Sequence, residues 1–174
     1  MTKEQIIIVG FMGSGKTTVA CEVGRKLNWA VIDLDDHISS SEGRNPAEII
    51  EEDGENSFRE IETQMLAAVL SNNPRVVIAA GGGAWTIGEN RRLIAKQGAL
   101  TIWLDAPFEL CWSRIKESRE IRPLAPSKEA AKRLYQERRP VYKSADLRIS
   151  VAENDSAEEI AESVVDGLAT EFTE

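Results

Sequence analysis

The stretch Ile6-Ile7-Ile8-Val9 runs directly into Gly10-Phe11-Met12-Gly13-Ser14-Gly15-Lys16-Thr17, an apolar segment that stops at a glycine-rich turn. The turn satisfies the G-x-x-x-x-G-K-[ST] pattern at every fixed position. Glycines let successive backbone N–H groups curl around a polyphosphate, the Lys16 ammonium reaches the terminal phosphates, and the Thr17 hydroxyl is a hard oxygen donor suited to Mg²⁺. A helix starting near Thr17 adds its positive N-terminal end. Glycine turns also join strands to helices without a ligand. Here a strand-like run precedes the turn and a helical pattern follows it, which is the context the motif requires. Gly13, Ser14, Gly15, Lys16, Thr17 and Thr18 are therefore the candidate nucleotide-binding residues. The rest of the chain is expected to bring a second substrate to the γ-phosphate.

Outward from this loop, strands and helices alternate. Val19, Ala20, Val23 and Leu27 recur at helical spacing, and the helix is expected to end near Asn28. Ala30-Val31-Ile32 leads into Asp33-Leu34-Asp35-Asp36, read as a strand ending in carboxylates, with Asp33 and Asp35 brought to one side by strand alternation. Two convergent carboxylates call for a metal or cation between them. Gly43, Pro46 and Gly54 then punctuate a helical region, and Phe58-Arg59-Glu60-Ile61-Glu62 opens a longer amphipathic helix with Arg59 and Glu62 on one face.

Arg75 to Ala80 reads as a strand ending in Gly81-Gly82-Gly83, where a ligand could approach the backbone closely. Glu89 to Lys96 is a short helix. Leu100 to Asp105 is a fourth strand, and Pro107 is placed to start the helix carrying Leu110, Arg114 and Ile115. Arg119 to Ser127 is a polar loop broken by Pro123 and Pro126, and a helix follows as far as Arg138-Arg139-Pro140. Asp146 to Val151 is a fifth strand, and Ser156 caps a last helix. This alternation predicts an α/β fold with a parallel sheet covered on both faces.

The 174 residues suffice for one domain with its own core. Cys21 and Cys111 have no metal-type spacing and read as small core residues of a reducing compartment. No signal peptide or membrane-spanning run is visible, which places the protein in the cytoplasm. A net charge of −8 argues against general nucleic-acid binding. The sign is uneven: residues 114–143 carry +6 and the remainder −14. A basic segment on an acidic nucleotide-binding chain points to phosphate or a carboxylated substrate. Residues 153–174 hold acids but no bases and read as a solvated helix back. His37 lacks a partner at ligand spacing, and Asp36 is placed on the opposite side of the strand end from the carboxylate pair. Trp29, Trp85, Trp103 and Trp112 read as packing, with Trp85 close enough to the glycines to line a pocket.

Taken together these features resemble the shikimate kinases, P-loop proteins of the nucleoside-monophosphate-kinase-like group. The resemblance spans nearly the whole chain and rests on features in order: the loop Gly10–Thr17; Asp33-x-Asp35 with Ile38; and Gly54-Glu55-x-x-Phe58-Arg59-x-x-Glu62. It continues with Gly81-Gly82-Gly83 and Asn90-Arg91, Arg122-Pro123-Leu124, and Glu137-Arg138-x-Pro140-x-Tyr142. It implies a five-stranded parallel sheet in the order 2-3-1-4-5. It also implies transfer of the γ-phosphoryl of ATP, with Mg²⁺, to the 3-hydroxyl of shikimate, a step of chorismate and aromatic amino-acid biosynthesis. Lys16 and Arg122 would hold the transferring phosphoryl. Thr17 would bind Mg²⁺, with Asp33 holding it through water, and Asp35 would accept the hydroxyl proton. Arg59 and Arg138 would clamp the shikimate carboxylate, Glu62 would orient Arg59, and Gly82 and Gly83 would present backbone to the substrate. Arg114 and the stretch after Val151 match where the family holds adenine.

The resemblance implies one kinase domain over 1–174, with a substrate-binding segment at about 33–62, a lid at about 119–130, and a monomeric state. Arg122 to Arg138 is a few residues shorter than usual and contains Pro126, so the lid is expected to close differently or faster. The doublet Arg138-Arg139 leaves the register of the clamp open by one residue, with the E-R-x-P-x-Y pattern favouring Arg138. A kinase for another polyol acid such as gluconate, and a nucleotide-binding module without turnover, are the competing readings.

Overall fold

The computed structural model describes residues 4–171. Strand β1 (Gln5–Val9) is buried along its whole length, because an apolar run with no alternation is stable only where both faces of the sheet are covered. It lies at the centre of a five-stranded parallel sheet, flanked by β3 (Val76–Ala79) and β4 (Leu100–Asp105). Strands β2 (Ala30–Asp33) and β5 (Leu147–Ser150) form the edges, giving the order β2-β3-β1-β4-β5 expected from the sequence. Ile7 of β1 registers with Ile78 on one side and Thr101 on the other. The chain leaves β1 between two neighbours that belong to opposite halves of the sheet, so the loop after Val9 opens at a topological switch point, where open α/β sheets hold ligands.

The helices are α1 (Lys16–Leu27), α2 (Leu34–Glu42), α3 (Pro46–Asp53), α4 (Glu55–Asn72), α5 (Gly88–Gln97), α6 (Phe108–Glu117), α7 (Lys128–Tyr142) and α8 (Ala157–Glu171). Helix α1 ends at Asn28, which is left-handed at φ 56° and returns its N–H to Arg25 and Gly24 carbonyls. Asn45 opens α3 with a reciprocal capping box to Glu48. Ser156 Oγ accepts the Glu159 N–H at the start of α8, as its sequence position suggested.

Several boundaries differ from the sequence reading. Strand β2 ends at Asp33, and Leu34-Asp35-Asp36 already belongs to α2, because the Asp33 carboxylate caps that helix by accepting the Asp35 and Asp36 N–H groups at 3.0 and 3.2 Å. Asp33 and Asp35 therefore converge through a cap and a first turn, not through strand alternation. Helix α4 starts at Glu55 rather than Phe58, directly after Gly54 at φ 89°. Helix α7 passes through Pro140 and ends at Tyr142, since a proline in the last turn removes only one backbone donor. Cys111 is buried as expected, but Cys21 is exposed on the solvent side of α1. The acidic back of α8 is also less idle than expected: Glu158 and Glu162 pair with Arg25 and Lys26 of α1.

Candidate active site

The phosphate loop needs glycine for two physical reasons. Gly13 and Gly15 have φ of 77° and 92°, and a Cβ at Gly13 would lie 2.6 Å from the Cys111 carbonyl oxygen. Lys16 folds back so that its ammonium donates to the Gly10 and Phe11 carbonyls at 3.0 and 2.9 Å. Burial pushes this ammonium down to about 8, against the upward pull of Asp35. Arg114 donates from Nη1 to the Gly13 carbonyl at 3.1 Å and so braces the loop from α6. The Ser14 side chain is buried beneath the loop, whereas Thr17 and Thr18 face outward.

Two cavities meet above the carboxyl edge of the sheet. The smaller, about 260 Å³, is lined by Gly13, Gly15, Lys16, Thr17, Thr18 and Asp33, the surroundings a polyphosphate requires. The larger, about 460 Å³, lies between α2, α3, α4 and the 119–124 loop, with Arg59, Gly82, Gly83 and Arg138 set against apolar Ile50, Phe58 and Leu124. Met12, Asp35, Asp36, Gly81, Gly82, Glu120 and Arg122 line both cavities. Asp35 and Arg122 thus stand in a partition with one cavity on each side.

The partition is charged and incompletely paired. Asp35 Oδ1 is buried with no hydrogen-bond partner among the described residues. Burial, with Asp33 adding, pushes its carboxyl above the ordinary range, while Lys16, Arg59 and Arg122 oppose the shift. Glu62 is fully buried; it accepts Arg59 Nη1 at 2.8 Å through Oε2, and its Oε1 is unpartnered. Gly81 keeps these two free oxygens apart from protein: a Cβ there would lie 2.8 Å from Glu62 Oε1 and 3.0 Å from Asp35 Oδ1.

Arg138 is 6% exposed and has no carboxylate within ion-pair distance among the described residues. Burial lowers its affinity for its proton, the Tyr142 hydroxyl raises it, and neighbouring Arg59 lowers it further. A buried guanidinium beside a second one, both facing a cavity, is a site for an anion. Arg139 points away, to Asp105, so the register that the sequence left open places Arg138 at the cavity.

For a divalent cation, the relevant donors are the Thr17 hydroxyl and the Asp33 carboxylate, which hydrogen-bond each other at the mouth of the smaller cavity. No group of three acidic, histidine or cysteine side chains that could hold a metal occurs among the described residues. Two hard oxygen donors fit Mg²⁺, which takes few protein ligands and fills its shell with phosphate and water.

Comparison with known proteins decides the family. The shikimate kinase family model matches residues 12–169. A shikimate kinase of Cereibacter sphaeroides is 39% identical over 171 residues, covering 97% of this chain and 84% of that protein. One from Synechococcus is 40% identical over 162 residues, covering 91% and 84%. The chain belongs to the shikimate kinase family. The solved structure of shikimate kinase from Acinetobacter baumannii in complex with shikimate superposes on this kinase with a TM-score of 0.87 at 28% identity, covering 99% of this chain and 97% of that one. The sheet order and the enzyme class expected from the sequence are thereby borne out: the protein is a P-loop phosphotransferase using ATP. None of its described helices is long and apolar enough to cross a membrane.

Sequence reasoning missed two groups at this kinase's centre and left a third without a role. Asp36 lines both cavities because it belongs to the first turn of α2, and the assumption of strand alternation turned it away. Glu120 reaches the partition from a loop whose course no periodicity could show. Tyr142, whose hydroxyl donates to the Gly82 carbonyl, stood in the quoted E-R-x-P-x-Y pattern without an assigned role. Trp85 is packing: its indole N–H donates to the Val141 carbonyl at 3.2 Å, and it does not line either cavity.

Proposed function

We propose that this kinase transfers the γ-phosphoryl group of ATP to the 3-hydroxyl of shikimate, giving shikimate 3-phosphate and ADP, with the smaller cavity for the nucleotide phosphates and the larger for the acceptor. The observation that carries this reading is the shared partition, which puts Asp35 and Arg122 between the two. Phosphoryl transfer depends mainly on alignment and on charge stabilisation, and both are supplied at that boundary.

In the acceptor cavity, Arg59 and Arg138 take the carboxylate and Glu62 fixes the Arg59 fork. The Gly82 and Gly83 backbone lets the ring approach, since a Cβ at either would meet Arg138 or Arg59. Asp35 hydrogen-bonds the 3-hydroxyl through its unpartnered oxygen and takes its proton as the new O–P bond forms and the bond to ADP breaks. Lys16 leaves its loop carbonyls for the phosphates, and Arg122 neutralises charge on the group in transit. Arg114 stands beside the nucleotide. Thr17 and Asp33 would hold Mg²⁺, which offsets phosphate charge when bound. Residues 119–130 act as the lid and 33–62 as the acceptor-binding segment of a single monomeric cytoplasmic domain. Substrate-dependent hydrogen exchange across 119–130 tests the lid.

The decisive experiment measures ADP release by the purified protein with ATP and Mg²⁺ in the presence of shikimate, of gluconate, or of no acceptor, and repeats it with Asp35→Asn. Turnover that requires shikimate and collapses in the variant is expected. ATP binding with no acceptor-stimulated turnover would overturn the reading in favour of a nucleotide-binding module.

A further inference from the structure

Arg138 and Arg139 are neighbours on α7, about 100° apart around the helix, with equal reach and charge. Rotating the last turn of α7 through that angle would exchange the guanidinium that faces the acceptor cavity, and a smaller rotation would turn Arg138 partly out of it. Pro140 makes that rotation easier, because it lacks the N–H that would tie the turn to the preceding one. The turn must therefore be fixed from outside the helix.

The Trp85 indole on the Val141 carbonyl and the Tyr142 hydroxyl on the Gly82 carbonyl hold one side of this turn, and a charged group at the end of β4 holds the other. Arg139 donates from Nη2 to Asp105 Oδ2 at 3.0 Å and Oδ1 at 3.4 Å. The same carboxylate, 7% exposed, receives Arg148 Nε of β5 at 2.8 Å. Both guanidiniums lie over the Trp103 ring, at 5.4 and 5.3 Å, and Tyr142 stacks on Trp103 at 6.2 Å. One turn earlier, Tyr135 donates to the Ala106 carbonyl at 2.9 Å. Tyr135, Arg139 and Tyr142 form one stripe of α7 seated on β4 and the residue after it. Asp105 is its only carboxylate contact among the described residues.

We infer that Asp105 is a positioning residue for the acceptor: by holding Arg139 against β4 it sets the rotation of α7 that aims Arg138 into the larger cavity. The inference rests on Arg138 being the carboxylate clamp. Without Asp105, two guanidiniums sit against one indole ring with no anion between them, and Arg139 is free to leave. The loss should then be felt by the acceptor's carboxylate and not by the rest of the acceptor or by the nucleotide.

The test compares KM for shikimate, for shikimate methyl ester and for ATP in the full-length wild type, Asp105→Asn and Arg139→Gln. The ester lacks the charge that Arg138 reads. The shikimate KM is expected to rise about ten-fold in Asp105→Asn, as for a binding group displaced by a fraction of an ångström, and less in Arg139→Gln. The ester and ATP values should stay within about two-fold of wild type. An equal rise for shikimate and ester means general loosening and overturns the inference. Should Asp105→Asn fail to fold, the half-exposed Arg139 variant decides alone. Wild-type protein that shows no preference for shikimate over the ester overturns the clamp itself; a wild-type preference that neither variant reduces overturns only the role of Asp105.

Discussion

Arg122 and Glu120 stand two positions apart in the loop before α7 and face each other across 2.7 Å, guanidinium Nη2 to carboxylate Oε2. The arginine assigned to the moving phosphoryl thus already holds a carboxylate on Nη2 while its Nε is without a partner among the described residues, and an arriving phosphate competes with that carboxylate for the guanidinium. Glu120 is 73% exposed, so the pair is of the weak surface kind, about 0.2–1 kcal/mol. Glu120→Gln is expected to lower the ATP KM by up to about five-fold in initial-rate assays. An unchanged KM would mean that Glu120 yields to phosphate without resistance.

Asp35→Asn is expected to reduce kcat by about 10²–10⁴, the usual contribution of a positioned base, and yet to melt at a higher temperature than wild type at pH 7. Burial raises the Asp35 carboxyl in the folded protein above its unfolded value, so the folded state holds the proton more tightly. Above the folded value the ionised group therefore opposes folding, and the amide does not. The gap in melting temperature should close as pH falls through the carboxylate range. A lower melting temperature for the variant at pH 7 would contradict this.

The pH profile of kcat/KM for ATP should fall on the basic side near pH 8, where free-enzyme Lys16, depressed by burial to about 8, loses its proton. The sign for stability follows from the same group. Its folded value lies below the ordinary 10.5, so between about 8 and 10.5 the unfolded chain binds more protons and the Lys16 contribution to stability rises with pH. Urea melts of wild type and Lys16→Met across that window should differ in slope, with the wild type gaining relative to the variant.

Two glycine substitutions should separate acceptor binding from loop integrity. A Cβ at Gly83 would lie 2.2 Å from Arg59 Nη2, the far end of a flexible side chain, so Gly83→Ala should raise the shikimate KM by about ten-fold or more with little change in melting temperature. A Cβ at Gly13 meets Cys111 backbone at a φ of 77°, where neither side can yield. Gly13→Ala should weaken nucleotide binding and lower the melting temperature together.

Much of the fold was legible because β3 is an unbroken apolar run, β1 is one after Gln5 and β4 is one apart from Thr101 and its terminal Asp105, and because the phosphate loop has a fixed grammar. Strand order and site positions came with the family resemblance, since no local pattern states which strands are neighbours. What stayed hidden was set by tertiary context. Asp33 could be a strand end or a helix cap, and only the hydrogen bonds to Asp35 and Asp36 decide between them. Cys21 read as core because small residues suit either face of α1. The two faces of the Arg138-Arg139 doublet are distinguished by Asp105, which lies 34 residues before Arg139 in the chain.

Because Asp35, Arg122 and the Gly81-Gly82 backbone line both cavities, neither ligand can order these groups for itself alone. Whatever factor bound ATP contributes to the affinity for shikimate, shikimate must return to ATP, since the two routes around the binding cycle end in one ternary complex. A substitution in the partition therefore acts on a coupling shared by two ligands. Its effect belongs to neither one, and an inhibitor that occupies either cavity can gain or lose affinity with the concentration of the other substrate.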